Sequence, residues 1–215
     1  MKVYLIRHGE TNLNSKRLLQ GGTDIPLNEK GILLATITAK GLADVAFDHI
    51  YTSPLSRAKQ TAELICAGRN IPMTEEARIR EISFGPYEGL CCAPDGYNIP
   101  DPQFLNFFKA PDAYLPPKGG ESFRDLCART ADFLAELAAN PALQDKTILV
   151  SSHGAAIKSM LCGILHRDLR DFWGGSVHKN CAVTILELTP DGFVVLDENI
   201  IYYDEALSSN YFDAK

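Results

Sequence analysis

The chain has 215 residues, of which 46% are hydrophobic and 22% are charged, and its formal net charge is −6. Length and composition predict one compact domain over residues 1–215 and argue against a disordered or fibrous chain. The acidic balance argues against nucleic-acid and membrane-surface partners, because both are polyanionic. No apolar run approaches the roughly 20 residues that span a bilayer. The N-terminus enters a strand-like run at once, so we do not expect a secretory signal.

The six cysteines include no Cys-x-x-Cys pair, so a zinc site or a thioredoxin-like motif is not indicated. Four of them lie among apolar neighbours, which is typical of small buried hydrophobes. The adjacent Cys91 and Cys92 leave a redox-active cysteine pair as an open alternative. The cysteine pattern favours a reducing cytoplasm, and we expect no metal and no other cofactor.

Four elements are predicted in the first third of the chain. Lys2–His8 is short, apolar and β-branched, which predicts a strand. Apolar residues at helical spacing predict a helix over Asn28–Val45, with Asn28 as its N-cap. Asp48–Ser53 is a second predicted strand, and Pro54 suits the first turn of a helix that runs to about Gly68.

The second half of the chain continues the alternation. An amphipathic helix is predicted over Glu121–Asn140, a fully buried strand over Lys146–Ser152 and a helix over Gly154–Leu165. Cys181–Leu188 and Phe193–Leu196 flank a T-P-D-G turn, which predicts a hairpin. Alternating strands and helices indicate an α/β domain with a mostly parallel sheet and an antiparallel edge strand.

The segment over residues 86–120 differs from the rest because it is rich in proline and aromatic residues. Proline argues against core strands. A long irregular segment inside a compact domain is usually functional, so we expect a lid or specificity loop, with a loose surface insertion as the alternative. The aromatic residues that favour packing are Tyr87, Tyr97, Phe104, Phe107, Phe108 and Tyr114.

Two histidines follow predicted strands in the same way. Arg7-His8 ends the first strand before Gly9, and Ser152-His153 ends a later strand before Gly154. Ligands of open α/β sheets bind beyond the carboxyl ends of strands, so His8 and His153 are expected to face one pocket. A surface ion pair and a structural histidine remain the alternatives. A Ser-His hydrolase is disfavoured, because neighbouring strand residues point apart and no G-x-S-x-G elbow occurs.

Two further blocks supply an arginine and a carboxylate. Arg57 lies in the first turn of a predicted helix, where a guanidinium and a helix N-terminus both suit a phosphate. Glu81 lies at the entrance to the Pro-rich segment, and Glu10 and Glu88 are rival acids.

The blocks LIRHGETNLN, QGGTDIPLNEKG, YTSPLSRAKQTA, REISFGPYEG and SSHGAAIK, in this order, resemble the histidine phosphatase superfamily. The similarity is to the branch related to cofactor-dependent phosphoglycerate mutase, and it spans nearly the whole chain. It implies a three-layer α/β/α sandwich. It also implies that His8 becomes phosphohistidine, that Arg7, Arg57 and His153 hold phosphoryl oxygens, and that Glu81 is the general acid.

The resemblance assigns further residues. Asn14 matches a phosphate contact of the family, and Thr11, Gln20 and Gly21 lie where the family lines the phosphate or the substrate rim. The resemblance also makes Glu88 structural. From their positions in the sequence, Glu10 is expected to order the loop or to pair with a basic neighbour, and Arg78 and Arg80 are expected to be surface or ion-pair residues. The chemistry is consistent with these roles, since phosphoryl transfer needs positioning and charge stabilisation, and a neutral histidine is a competent nucleophile.

The sequence favours a phosphatase over a mutase. A mutase needs a second cationic site, whereas residues 86–118 offer only Lys109 and Lys118 and no arginine pair. The Pro116–Phe123 run also resembles α-ribazole phosphatases and broad-specificity relatives. We therefore expect a metal-independent phosphomonoesterase acting on a small-molecule phosphate ester, as a monomer or homodimer. A bisphosphoglycerate-dependent mutase and a non-catalytic phospholigand-binding protein remain alternatives, and the physiological substrate is not identified.

Overall fold

The computed structural model describes residues 1–175 and 178–208. Its centre is a six-stranded sheet with the order β3-β2-β4-β1-β5-β6. The strands are β1 (Lys2–Arg7), β2 (His49–Thr52), β3 (Met73–Glu75), β4 (Thr147–Ser152), β5 (Val183–Thr189) and β6 (Gly192–Ile200). The first four strands pair in parallel, and β5 and β6 are antiparallel, so the predicted mostly parallel sheet with an antiparallel edge is confirmed.

Helices cover both faces of this sheet. They are α1 (Asn12–Ser15), α2 (Glu29–Gly41), α3 (Ser56–Ile65), α4 (Asn106–Lys109), α5 (Phe123–Ala139) and α6 (Gly154–Ile164). Successive strand residues point to opposite faces. Ile6 of β1 therefore packs in one cluster with residues of α2 and α3, whereas Leu5 packs in another with residues of α5 and α6. This arrangement confirms the three-layer α/β/α sandwich.

The structure shifts several predicted boundaries. Helix α2 stops at Gly41 rather than Val45. Gly41 lies against Tyr202, where an added Cβ would meet the ring at 2.2 Å. Leu42 still packs in the core after the helix has ended, so the apolar pattern outlasts the helix. Strand β6 extends well beyond the predicted Phe193–Leu196. Strand β3 and helix α1 were not predicted, because three or four residues carry no readable periodicity.

Residues 86–120, all of which the structure describes, contain short helical turns and α4 but no named strand. Their aromatic side chains build a third core cluster against α5 and α6. Phe107 is 3% exposed and its ring lies within 5.0–5.3 Å of the rings of Phe84, Phe123 and Trp173. The segment is therefore packed as part of the molecule. Within the described ranges, no helix has the length and apolar character needed to cross a bilayer.

Candidate active site

The sheet brings the two histidines together. Strands β1 and β4 are parallel neighbours, and their register pairs Arg7 with Ser152, so His8 and His153 follow at the same edge. The His8 backbone N–H donates to the Ser152 carbonyl at 3.0 Å. The two imidazole centroids are 5.1 Å apart. Both side chains are buried at the carboxyl ends of the strands, where α/β sheets bind ligands.

His8 is held in one tautomer. Its Nδ1 lies 2.7 Å from the Gly9 carbonyl oxygen, which only accepts hydrogen bonds, so Nδ1 carries the proton of the neutral ring. Burial, with Arg57 and Arg7 nearby, lowers the pKa of His8 well below its ordinary 6.5. The ring is therefore neutral at pH 7, with a free electron pair on Nε2. This is the form of imidazole that attacks an electrophile.

Gly9 is a position where only glycine fits. An added Cβ would lie 2.7 Å from the Gly31 carbonyl oxygen in α2. The Gly9 N–H donates to Thr61 Oγ1 at 3.0 Å, and the Asn180 amide donates to the His8 carbonyl at 2.9 Å. The backbone that sets the His8 tautomer is thus fixed from both sides.

Arg57 is fully buried in the first turn of α3. Its Nη1 donates to the Thr23 carbonyl and its Nη2 to the Gly21 carbonyl, both at 2.8 Å, and its Nε donates to His153 Nδ1 at 3.2 Å. Burial lowers the pKa of Arg57 to about 10, so the group is still a cation at neutral pH. A guanidinium carries five N–H groups, of which these bonds use three. Arg57 and His153 both lie behind the lining of the pocket beside His8 and do not border it directly.

His153 is hydrogen-bonded to Arg57 in this structure. Its Nδ1 accepts from Arg57, so Nε2 carries the ring proton and donates to Ser53 Oγ at 2.8 Å. Burial, with Arg57 and His8 nearby, lowers the pKa of His153 well below 6.5. Both ring nitrogens are engaged inside the protein, so a direct contact with a phosphoryl oxygen requires one of these two bonds to exchange.

Glu81 lies at the N-terminus of α6. Its Oε1 accepts from the Ile82 and Ala156 N–H groups at 3.0 and 3.1 Å, and its Oε2 accepts from Ala155 N–H at 3.1 Å. Burial raises the pKa of Glu81, although these N–H groups and the two arginines oppose the rise. Because Oε1 already accepts two bonds, Oε2 is the oxygen with room for a proton. Gly154 borders both this oxygen and the Arg7 guanidinium, since an added Cβ would meet them at 3.7 and 3.6 Å.

Arg129 of α5 holds the Glu81 segment and was missed by the sequence argument. It donates to the carbonyls of Arg78 and Glu81, at 2.5 and 3.2 Å, and pairs with Glu121 at 2.6 Å. A charged residue on an amphipathic helix reads as a solvent-facing position, so its inward role has no sequence signal. Arg129 is a positioning residue for Glu81.

A pocket opens beside His8, and both polar and apolar residues line it. Its polar lining comprises Arg7, His8, Asn14, Arg17, Gln20, Glu81, Lys158 and His178. Its apolar lining comprises Leu18, Leu19, Phe84, Cys92, Phe107, Phe108 and Trp173. The Pro-rich segment supplies Cys92, Phe107 and Phe108, whereas Lys109 and Lys118 are exposed and lie off the wall.

The predicted rim residues divide into two groups. Asn14 and Gln20 line the pocket, while Thr11 and Gly21 do not. Thr11 caps α1, and its hydroxyl donates to Gln20 Oε1 at 2.7 Å, which leaves the buried Gln20 Nε2 without a partner within the described ranges. The Gly21 carbonyl accepts from Arg57, as described above. Thr11 and Gly21 therefore orient Gln20 and Arg57.

The rival carboxylates are used elsewhere. Glu10 accepts from the Asn28 amide at 2.9 Å and lies 3.5 Å from Lys30. Glu88 accepts from the N–H groups of Gly22 and Thr23, each at 2.6 Å, and these bonds help to lower its pKa against the opposing effect of burial. Both carboxylates fix loops around the site.

Arg17, Lys158 and His178 line the pocket and were not singled out from the sequence. Lys158 is 1% exposed, and its Nζ lies 2.9 Å from Glu198 Oε1. The sequence does carry one indication of the role of Lys158, because it is a lysine within an otherwise apolar helix. In the described part of the chain, no group of three or more His, Cys, Asp or Glu side chains is arranged to hold a metal ion.

The fold and this site define a class of phosphoryl-transfer protein with a strand-end histidine between buried arginines. The model of the histidine phosphatase superfamily (branch 1) matches residues 3–201, and the chain belongs to this family. The resemblance stated from the sequence blocks is thereby confirmed.

Among individual relatives, some are named as phosphatases and others as probable phosphoglycerate mutases. The chain is 36% identical to an uncharacterized phosphatase, PhoE, of Bacillus subtilis over 77% of this chain and 78% of that protein. It is 30% identical to phosphoserine phosphatase 1 of Hydrogenobacter thermophilus over 93% and 92%. It is 34% identical to a probable phosphoglycerate mutase, GpmB, of Salmonella choleraesuis over 77% and 75%. Bacillus stearothermophilus YhfR superposes with a TM-score of 0.86, at 34% identity, over 93% of this chain and 97% of that one.

Proposed function

We propose that this chain hydrolyses a small phosphate monoester through a phosphohistidine on His8, without a metal ion. The observation that carries the proposal is the His8 tautomer. Nδ1–H is committed to the Gly9 carbonyl, so the electron pair of Nε2 is free in a pocket bordered by Arg7. Histidine forms covalent intermediates that split one difficult displacement into two easier ones.

In the first step, His8 Nε2 attacks phosphorus while the bond from phosphorus to the alcohol oxygen breaks. Glu81 transfers its proton to the departing oxygen, so a neutral alcohol leaves and Glu81 becomes a carboxylate. Burial raises the pKa of Glu81, which favours the protonated acid that this step needs. Arg7 and Arg57 stabilise the charge on the equatorial oxygens.

In the second step, water attacks the phosphohistidine and gives its proton to Glu81. The bond from phosphorus to Nε2 breaks, inorganic phosphate forms and His8 returns to its neutral tautomer. The three backbone N–H groups around Glu81 stabilise its carboxylate between the two steps. One residue thus serves as acid and then as base.

The pocket supports hydrolysis of a monophosphate with a partly apolar alcohol. The Pro-rich segment contributes aromatic and thiol groups to the wall and no cation. A second candidate function, phosphoglycerate mutase, is favoured by Arg17 and Lys158, which do line the pocket. Lys158 is already paired with Glu198, so its charge is largely compensated and the phosphatase is preferred.

Kinetics on both reactions test the proposal. We expect release of inorganic phosphate from monoesters in the presence of EDTA, and loss of turnover in His8→Ala. A bisphosphate-dependent interconversion of phosphoglycerates that outruns hydrolysis would establish the mutase. Tight phosphate binding without any turnover would establish the non-catalytic alternative.

The setting of the enzyme is part of the same proposal. We infer a cytoplasmic protein, since all six cysteines are free thiols in the structure. We also infer one domain over residues 1–215, with residues 86–120 as a lid over the pocket and a small-molecule ester as its partner.

A further inference from the structure

His178 is a buried group that the proposed mechanism does not use. Its side chain lines the pocket and is 1% exposed. Its Nδ1 has no hydrogen-bond partner in the described part of the chain. Buried polar atoms are nearly always satisfied, so an unsatisfied one at a pocket wall points to a ligand.

The neighbouring hydroxyl decides which atom carries the His178 proton. His178 Nε2 lies 2.7 Å from Thr184 Oγ1, and the same hydroxyl accepts from the Asn199 N–H at 3.2 Å. The Thr184 hydroxyl has one proton to donate, and His178 Nε2 is the acceptor that the described residues offer it. Nε2 is then unprotonated, so the neutral ring carries its proton on Nδ1. His178, a residue of the pocket lining, therefore carries a buried N–H donor that has no partner in the described part of the chain.

Helix α6 contributes Lys158 to the same pocket lining as His178. Gly154 borders Arg7 and Glu81, and Lys158 lies four residues further along the helix, which is about 6 Å of rise. Lys158 and Arg7 are the charged groups that act on the His178 ring. The His178 carbonyl accepts a hydrogen bond from Arg7, so His178 lies directly against an arginine of the phosphoryl-transfer centre.

The charges around this position favour an anion. Burial, Lys158 and Arg7 lower the pKa of His178 to about 3, so the ring stays neutral and donates a hydrogen bond without adding charge. Lys158 and Arg7 supply the positive field, and Glu198 offsets part of it. His178 is buried to a similar degree as His8, which is 3% exposed and is the residue proposed to react with the substrate.

We propose that His178 Nδ1–H, beside Lys158, binds a carboxylate on the alcohol part of the substrate and thereby selects carboxylated phosphate esters. This inference rests on the proposed phosphatase function. His178 is a specificity residue, and the phosphoryl-transfer chemistry remains with His8 and Glu81.

Two esters that differ by one carboxylate test the inference. O-phosphoserine and O-phosphoethanolamine share the same reacting phosphate and amine, so the ratio of their kcat/KM values isolates the carboxylate. We expect the wild type to prefer O-phosphoserine by at least about tenfold, because a hydrogen bond to a charged group is worth roughly that factor or more. A wild-type ratio near one would overturn the inference without any variant.

Variants at position 178 then locate the effect. His178→Phe keeps a ring and removes the donor, and we expect the ratio to fall by roughly 10- to 100-fold. His178→Asn places an amide N–H near the position of Nδ1, and we expect it to retain more of the preference. Leu18→Ala, which removes apolar side-chain atoms from the same pocket, should alter both esters alike. Thermal unfolding verifies that each variant is folded.

The outcomes separate the two claims. Hydrolysis of both esters with a ratio that His178→Phe leaves unchanged overturns the carboxylate site and leaves the phosphatase standing. Failure to hydrolyse any ester overturns the phosphatase, and the carboxylate inference with it.

Discussion

Replacing Glu81 with glutamine removes the proton that the leaving alcohol needs. General acid catalysis contributes about 10²- to 10⁴-fold, which is about 2.7–5.4 kcal/mol of barrier at about 1.36 kcal/mol per factor of ten. The glutamine oxygen can still accept from Ile82 and Ala156. Its NH₂ group, however, replaces Oε2 and faces the Ala155 N–H, so one buried donor loses its acceptor at a cost of about 1–3 kcal/mol in stability.

A series of phosphate esters measures this effect. For alkyl phosphates, whose alcohols leave poorly, kcat/KM of Glu81→Gln should fall by the full factor of about 10²–10⁴. For nitrophenyl phosphates, whose phenolates leave unprotonated, it should fall by less than about tenfold. The slope of log(kcat/KM) against leaving-group pKa should therefore steepen. An equal loss across the series would refute the assignment of Glu81 as the acid.

Other changes test separate parts of the site. The lowered pKa of His8 predicts that kcat/KM for alkyl esters falls on the acid side with a midpoint below pH 6.5, and a higher midpoint would contradict that shift. The raised pKa of Glu81 predicts that kcat/KM falls on the alkaline side with a midpoint above pH 4.5, and a lower midpoint would contradict that shift. A lysine at position 57 cannot donate to Gly21, Thr23 and His153 at the same time. In Arg57→Lys, kcat/KM should therefore fall on the order of 10²-fold and the melting temperature should drop. Retained activity would show that the three guanidinium hydrogen bonds are not required. Phe107→Ala should lower the free energy of unfolding by about 3–5 kcal/mol in urea denaturation. Its control Leu115→Ala, at a side chain 75% exposed, should change it by less than about 0.5 kcal/mol, and equal effects would mean that the aromatic cluster is not a core.

The strand ends were predictable because their physics is local. Strands β1 and β4 are short apolar runs, and the glycine after each histidine marks where the strand stops. Parallel pairing in register then places His8 beside His153 without further information. The position of Arg57 follows from the same logic, since the first turn of α3 comes directly after β2.

The rest of the site depends on contacts between distant segments. Lys158 faces Glu198, and the pair exists only because β6 folds back beside α6. The donor on His178 depends on Thr184 and therefore on the register of β5. The engagement of both His153 nitrogens depends on a tautomer, which no sequence pattern encodes. These features are set by tertiary packing.

Trapping the covalent intermediate tests the central claim most directly. Wild-type protein is mixed with a ³²P-labelled ester and quenched in alkali within the first turnover, and the labelled peptide is sequenced by mass spectrometry. We predict an alkali-stable, acid-labile phosphoryl group on the peptide that contains His8, with no label in His8→Ala. Turnover of the ester with no label on His8, or a label that persists in His8→Ala, would contradict the phosphohistidine mechanism.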